Sequence, residues 1–236
     1  MNRILLYIHY NKFDEMSEHV LYQLEKIKPL FSRVILLSNS HLEKNYMRKL
    51  EMIGITEIIQ RANIGFDFAA WRDGMEYVGF DHLEKYDSVT LMNDTCIGPL
   101  WPLEPYFRSF ESAIDCDFWG MTNFKKTKYF REHVQSYFVS YSREVVSSKV
   151  FKSFWMNVKS YDNVRQVIDN YETKFTSELK KTGFNYQVVF NTLGEKSDDM
   201  LHPDFSYYRP FDILNHRVPF LKLKALQSHQ EQANQL

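Results

Sequence analysis

The sequence predicts an α/β domain: a mostly parallel sheet flanked by helices. Three observations carry that prediction. Short, continuous apolar runs rich in β-branched residues alternate with segments whose apolar positions recur at helical spacing, as in buried parallel strands joined by crossover helices. The composition, 44% hydrophobic and 25% charged over 236 residues, is that of a globular chain with a sizeable core. No internal repeat and no linker divides it, so residues 1–225 are expected to form one domain, followed by a polar, glutamine-rich tail at 226–236.

Taken in order, "RILLYIHY" (3–10) reads as a first strand and "DEMSEHVLYQLEKIKPL" (14–30) as a helix that closes before Pro29. "SRVILLSNS" (32–40) is a second strand. "LEKNYMRKLEMIG" (42–54) is a helix with Gly54 at its stop, and "ITEIIQR" (55–61) is a third strand. "YDSVTLMNDT" (86–95) is a fully apolar strand that ends in polar residues, and "IGPLWP" after it is a turn. "CDFWGMTNF" (116–124) is a further strand, and "HVQSYFVSYSREVVSSKVFKSFWMNV" (133–158) is a strand followed by a helix. "VRQVIDNYETKFTSELKKTG" (164–183) is a helix stopped by Gly183, ahead of the strand "FNYQVVFN" (184–191).

Bulk properties narrow the function. A formal net charge of −1 supplies no general drive toward nucleic acid. Two cysteines, Cys96 and Cys116, make no disulfide framework and suit a reducing compartment. The apolar run before His9 is too short for a signal peptide, and nothing approaches the roughly 20 apolar residues of a membrane span. A cytoplasmic protein is the expectation, with room for peripheral contact at the inner face of the cell membrane. Aromatic residues reach 16%, which serves either an aromatic core or a surface that stacks on sugar rings or bases.

In open α/β sheets, ligands bind beyond the carboxyl ends of the strands. The polar residues of this chain sit at those ends. His9, Tyr10 and Asn11 follow the first strand, Ser38 and Asn39 the second, Arg61 and Asn63 the third, and Asn93, Asp94 and Thr95 the fourth. The stretch "RANIGFDFAAWRDG" (61–74) is richer than a plain amphipathic helix requires. Gly65 permits a sharp turn or a close approach to a ligand, and Asp67 stands where a carboxylate would cap a helix. One reading is a loop entering a capped helix with solvated arginines. The other has Asn and Asp side chains on a base or ribose and Arg72 on a diphosphate, whose oxygens suit the planar donor fork. A carboxylate after the fourth strand could hold a divalent metal, and Glu172 in "YETKFTSELKKTGFNY" could act as a general base.

Together, "RANIGFDFAAWRDGMEYV", "YDSVTLMNDTCIGPL" and "HVQSYFVSY" resemble the rhamnan synthesis protein F family of bacterial surface polysaccharide assembly. The resemblance runs from "IHYNK" to "VPFLK", and its most specific part is the run N-x-G-x-D-F-x-A-W-R-D-G. The order of segments is also similar to inverting glycosyltransferases of the GT-A (Rossmann-like) fold. There an N-x-G loop precedes a strand ending in D-x-D, and a later E-D helix supplies the base.

This resemblance implies a GT-A-like glycosyltransferase using a nucleotide-sugar donor, dTDP-L-rhamnose first among them, and a lipid-linked polysaccharide acceptor. It places Asn63, Gly65, Asp67 and Arg72 in the donor site and Glu172 at the catalytic carboxylate. Asn93-Asp94-Thr95 stands at the D-x-D triplet, with Asp94 as the sole carboxylate for a divalent metal (Mg2+ or Mn2+). His9, Tyr10, Asn39 and Arg61 would complete the nucleotide pocket, and His202 would be a further metal or phosphate contact. Trp101, Tyr106, Trp119 and Tyr137 fall on the acceptor side, and the basic, apolar "HRVPFLKLKAL" (216–226) could touch an anionic membrane. The alternative is a non-catalytic domain that binds nucleotide sugar or polysaccharide. A dinucleotide enzyme is disfavoured, since no G-x-G-x-x-G follows the first strand.

Overall fold

The computed structural model of the chain describes residues 1–228. Of the polar tail expected at 226–236, only 226–228 lie within them, as the end of the last helix. The strands are β1 (Arg3–His9), β2 (Arg33–Ser38), β3 (Glu57–Gln60), β4 (Ser88–Asn93), β5 (Cys96–Ile97), β6 (Phe118–Phe124), β7 (His133–Val134), β8 (Phe138–Ser142), β9 (Tyr186–Phe190) and β10 (Leu221–Lys222). The helices are α1 (Glu18–Ile27), α2 (Lys44–Met52), α3 (Phe66–Val78), α4 (Phe80–Leu83), α5 (Glu104–Glu111), α6 (Arg143–Ser147), α7 (Lys149–Met156), α8 (Val164–Val167), α9 (Thr173–Lys181), α10 (Phe205–Tyr208), α11 (Pro210–Asn215) and α12 (Leu223–Ser228). A π turn, Ile168–Glu172, joins α8 to α9.

Eight strands form one sheet, in the order β3-β2-β1-β4-β8-β6-β7, with β9 on the free side of β6. β3, β2, β1 and β4 are mutually parallel, β8 runs against them, and β6 and β9 are parallel to each other. The expected mostly parallel α/β sheet is present. β5 and β10 pair separately as an antiparallel two-residue ribbon.

Both faces of the sheet are covered, which explains the unbroken apolar strands. Ile4, Leu6 and Ile8 of β1 enter one core with Phe68, Trp71, Trp155 and Phe175, whereas Leu5 and Tyr7 enter the other with Leu24, Phe107 and Trp119. Much of the aromatic surplus is spent here. Phe68 stacks on Trp155 at 5.5 Å and on Tyr171 at 5.6 Å, and Phe154 stacks on Phe175 at 4.0 Å. Trp119 and Tyr137 are also buried, Tyr106 donates its hydroxyl to the Arg217 carbonyl at 2.6 Å, and Arg217 lies over the Trp101 ring. Of these four, expected on the acceptor side, Trp119 packs in the core, and Tyr137, though buried, also lines the cleft described below.

The segment 216–226 also packs. Val218, Phe220, Leu221 and Ala225 are buried, and Leu223 and Leu226 are partly exposed. No helix among the described residues is long and apolar enough to cross a membrane.

Candidate functional site

Because β1 to β4 are parallel, their carboxyl ends lie along one edge. The register sets His9 beside Ser38, Ser38 beside Gln60, and Ile8 beside Asn93. The four polar strand ends therefore meet, as their spacing predicts.

Much of "RANIGFDFAAWRDG" has a structural task. Gly65 is left-handed (φ 77°), and a Cβ there would lie 2.5 Å from Ala69 Cβ and 2.8 Å from Ser160 Cα, so no other residue fits. Phe66 follows at φ 53°, an unusual value for a bulky residue. Trp71 anchors α3 to the sheet by donating its indole N–H to the Leu6 carbonyl at 3.2 Å. Gly74 lets the same helix press on Leu37, whose Cδ1 would be 2.8 Å from an added Cβ.

Asp73 clamps both arginines. Its Oδ2 accepts from Arg61 Nε at 2.8 Å, and its Oδ1 accepts from Arg72 Nε and Nη2 at 2.9 and 2.6 Å. Arg61 also donates to Asn39 Oδ1 (2.6 Å) and the Ile64 carbonyl (3.0 Å), and Arg72 donates to the Val158 carbonyl (2.6 Å). The two guanidinium groups hold the loop together, leaving few donors for a ligand. Asn63 and Tyr10 are exposed on the loops above them.

Asp67 does not cap the helix. The residue before α3 is Gly65, and Asp67 in the first turn instead accepts a hydrogen bond from Asn93 Nδ2 through Oδ2 at 2.8 Å. The helix starts two residues earlier than the sequence suggests, because glycine provides the left-handed entry. Burial pushes the Asp67 carboxyl up to about 6. The Asn93 hydrogen bond opposes this shift, while the negative charges of Asp94 and Glu172 add to it.

The triplet after β4 divides its work. Asn93 is the pivot, donating to Asp67 and accepting from the Thr95 hydroxyl at 2.6 Å. Asp94 turns toward β1, where its Oδ2 meets His9 Nδ1 at 2.8 Å and accepts from the Tyr10 N–H at 2.9 Å. His9 Nε2 lies 3.1 Å from the Glu15 carbonyl.

Asp67, Asn93, Thr95, Ser136 and Glu172 line one cleft of about 300 Å³. Glu172 closes the π turn, a helical irregularity frequent at functional sites. Its Oε1 accepts from the Ser136 hydroxyl at 2.7 Å and the Ser136 N–H at 3.3 Å, which fixes the carboxylate, and Oε2 makes no hydrogen bond among the described residues. Lys222 and Lys224 line the same cleft. Both lie in the segment whose basic character suggested a membrane, and nothing local in the sequence places them opposite Asp67. Ser136 and Asp73 were equally illegible: a serine before a strand and an aspartate in a helix carry no pattern of their own.

The residues do not make a metal centre by themselves. Asn93 and Thr95 are engaged with each other, and among the described residues no three His, Cys, Asp or Glu side chains are grouped to hold an ion. His202 is exposed, packs edge-on to Phe130 at 6.2 Å, and makes no hydrogen bond or ion pair with Asp94. Mg2+ is commonly held by one or two carboxylates plus substrate phosphates, so Asp94 alone offers part of a shell.

Residues 34–236 match the family described as rhamnan synthesis protein F. The chain belongs to that family. Within the chain's wider kin, an uncharacterized protein of Sinorhizobium fredii, y4gN, is 31% identical over 178 residues, covering 74% of this chain and 45% of the relative. Virulence protein VirA of Vibrio anguillarum is 29% identical over 143 residues, covering 59% and 44%. The chain thus spans less than half the length of these curated relatives.

Among solved structures, the chain is similar to a glycosyltransferase involved in the glycosylation of the major capsid of PBCV-1 (TM-score 0.47, 7% identity, 100% of both chains). Glucosyl-3-phosphoglycerate synthase from Mycobacterium tuberculosis, solved with Mn2+, UDP-glucose and phosphoglyceric acid, matches at TM-score 0.41 and 12% identity over 61% of this chain and 57% of that one.

Proposed function

We propose that this rhamnan synthesis protein F family member is an inverting glycosyltransferase, moving a sugar from a nucleoside diphosphate donor to a hydroxyl of a bacterial surface polysaccharide. The single observation that supports it best is the meeting of Asp67, the Asn93–Thr95 pair and Glu172 in one cleft beyond the carboxyl ends of the parallel strands. The family description favours L-rhamnose as the sugar, hence dTDP-L-rhamnose as donor. A lipid-linked acceptor would place the reaction at the cytoplasmic face of the membrane.

In this reading the base and ribose lie along the edge formed by His9, Tyr10, Asn39 and Asn63, with Gly65 bringing the backbone close to the sugar. Glu172, oriented by Ser136, takes the proton of the acceptor hydroxyl on Oε2. The freed oxygen attacks the anomeric carbon from the face opposite the diphosphate. The bond from that carbon to the phosphate oxygen breaks, its electron pair departs with the nucleoside diphosphate, and the configuration inverts. Asp67, half-buried beside Asn93, would hold a sugar hydroxyl.

The test is Glu172→Gln, which keeps the acceptance of the Ser136 hydrogen bonds and removes the base. Donor affinity measured by calorimetry should stay within about twofold, while sugar transfer should fall by roughly 10²–10⁴. Unchanged transfer would sink the assignment of the base. A second reading, binding without turnover, is favoured by the commitment of Asp94 to His9 and Tyr10. A wild-type protein that binds the donor and never releases its nucleotide, with acceptor supplied, would select it.

A further inference from the structure

The cleft poses a charge problem. Asp67 senses both Asp94 and Glu172, so a diphosphate entering here meets carboxylates on one side. Arg72, which the sequence puts at a diphosphate, is held by Asp73, as is Arg61, and the triplet brings one carboxylate rather than a metal-binding pair. Positive charge must come from elsewhere.

The structure carries it in from the far end of the chain. Lys222 pairs across the β5–β10 ribbon with Cys96, and the next residue, Leu223, donates its N–H to the Thr95 carbonyl at 3.0 Å. The segment is thereby stapled to the residue that closes the triplet, and Lys222 and Lys224 both line the cleft. Lys222 lies over the Tyr137 ring at 5.4 Å and makes only a loose ion pair with Asp204, at 3.7 Å. Asp204 has other partners: burial raises its carboxyl, but Lys222 and hydrogen bonds from Ser206, Gln135 and Tyr207 outweigh that and leave it below its ordinary range. Lys224 is exposed and makes no hydrogen bond or ion pair among the described residues.

We infer that Lys222 and Lys224 form the diphosphate-binding pair of this site, taking over the charge neutralisation that a divalent cation would otherwise supply. The inference rests on the donor class proposed above. Lysine clamps and metal ions are alternative means of stabilising charge on phosphoryl oxygens. An ammonium has three donors and no acceptor, so two of them can satisfy several of those oxygens while leaving the carboxylate wall to the sugar.

Calorimetric titration of UDP, GDP, ADP and dTDP against the full chain tests this, in EDTA and again in Mn2+. The wild type should bind at least one of the four equally well in both buffers. Lys224→Met and Lys222→Met should each weaken that binding about tenfold, as expected for losing a hydrogen bond from a charged group. The corresponding nucleoside monophosphate should lose less, and Lys→Arg at both positions should restore most of the affinity. Lys224 is exposed and unpaired, so its variant is safe for folding, with circular dichroism as the check.

Undiminished diphosphate binding by the folded double methionine variant would overturn the inference and leave the transferase reading standing. Wild-type binding that appears only with Mn2+ would overturn it as well. Failure of the wild type to bind any of the four would instead remove the donor class, and the inference with it.

Discussion

Asp67→Asn isolates the cost of holding a charge at the floor of the cleft. In the folded chain burial lifts this carboxyl from an ordinary 3.8 to about 6. At about 1.36 kcal/mol per pH unit, the gap of about 2.2 amounts to about 3 kcal/mol as an upper figure. The sign follows from proton counting. Between pH 4 and 6 the folded state binds more protons at this site than the unfolded chain, so stability falls as pH rises through that window. From about pH 7 upward the loss is essentially complete and constant.

The asparagine variant keeps the oxygen that accepts from Asn93 Nδ2 and has no charge to bury. Urea denaturation of both proteins from pH 4 to 8 should therefore show the variant more stable by about 2–3 kcal/mol at pH 7–8. The two curves should converge as pH falls toward 4. A variant no more stable than wild type at pH 8, or a difference that does not shrink in acid, would refute the reasoning. The gain should come with loss of transfer activity, the usual exchange where a site is kept at the expense of stability.

Two further outcomes follow from the same geometry. Gly65→Ala forces a side chain into space held by Ala69 and Ser160 at positive φ, and should lower stability by about 2–4 kcal/mol in the same assay. Equal stability would mean that the loop has room to relax. Asp94→Ala removes the acceptor of the His9 ring and the Tyr10 N–H, and should cost about 2–4 kcal/mol in thermal or urea unfolding; a neutral result would show that water replaces both bonds.

The sheet was readable from residue pattern because its strands are buried on both faces, which forces runs such as Ile4–Ile8 to be apolar throughout. The gathering of His9, Asn39, Arg61 and Asp94 along one edge was readable for a related reason: parallel strands must end together. Short elements were not. β5, β7 and β10 are two residues each and exist through long-range pairing that no local propensity encodes. The same limit hid Lys222 and Lys224, which reach the cleft only because β10 docks beside Thr95. The engagement of Arg72 was not readable from its chemistry: its planar fork suits phosphate, but a carboxylate suits it equally, and Asp73, next in sequence, takes two of its donors.

The π turn between α8 and α9 has one further effect. One residue more than an α-helix would use slips the phase by roughly 100°. A single rod of chain thereby shows one side to solvent chemistry and another to the oily interior. Val164, Ile168 and Glu172 look out, and Phe175 and Leu179 look in. The acid sits on the seam. Removing one residue between 168 and 171 would rotate it off its mark without touching a single atom of its side chain, so length is as strong a determinant here as identity.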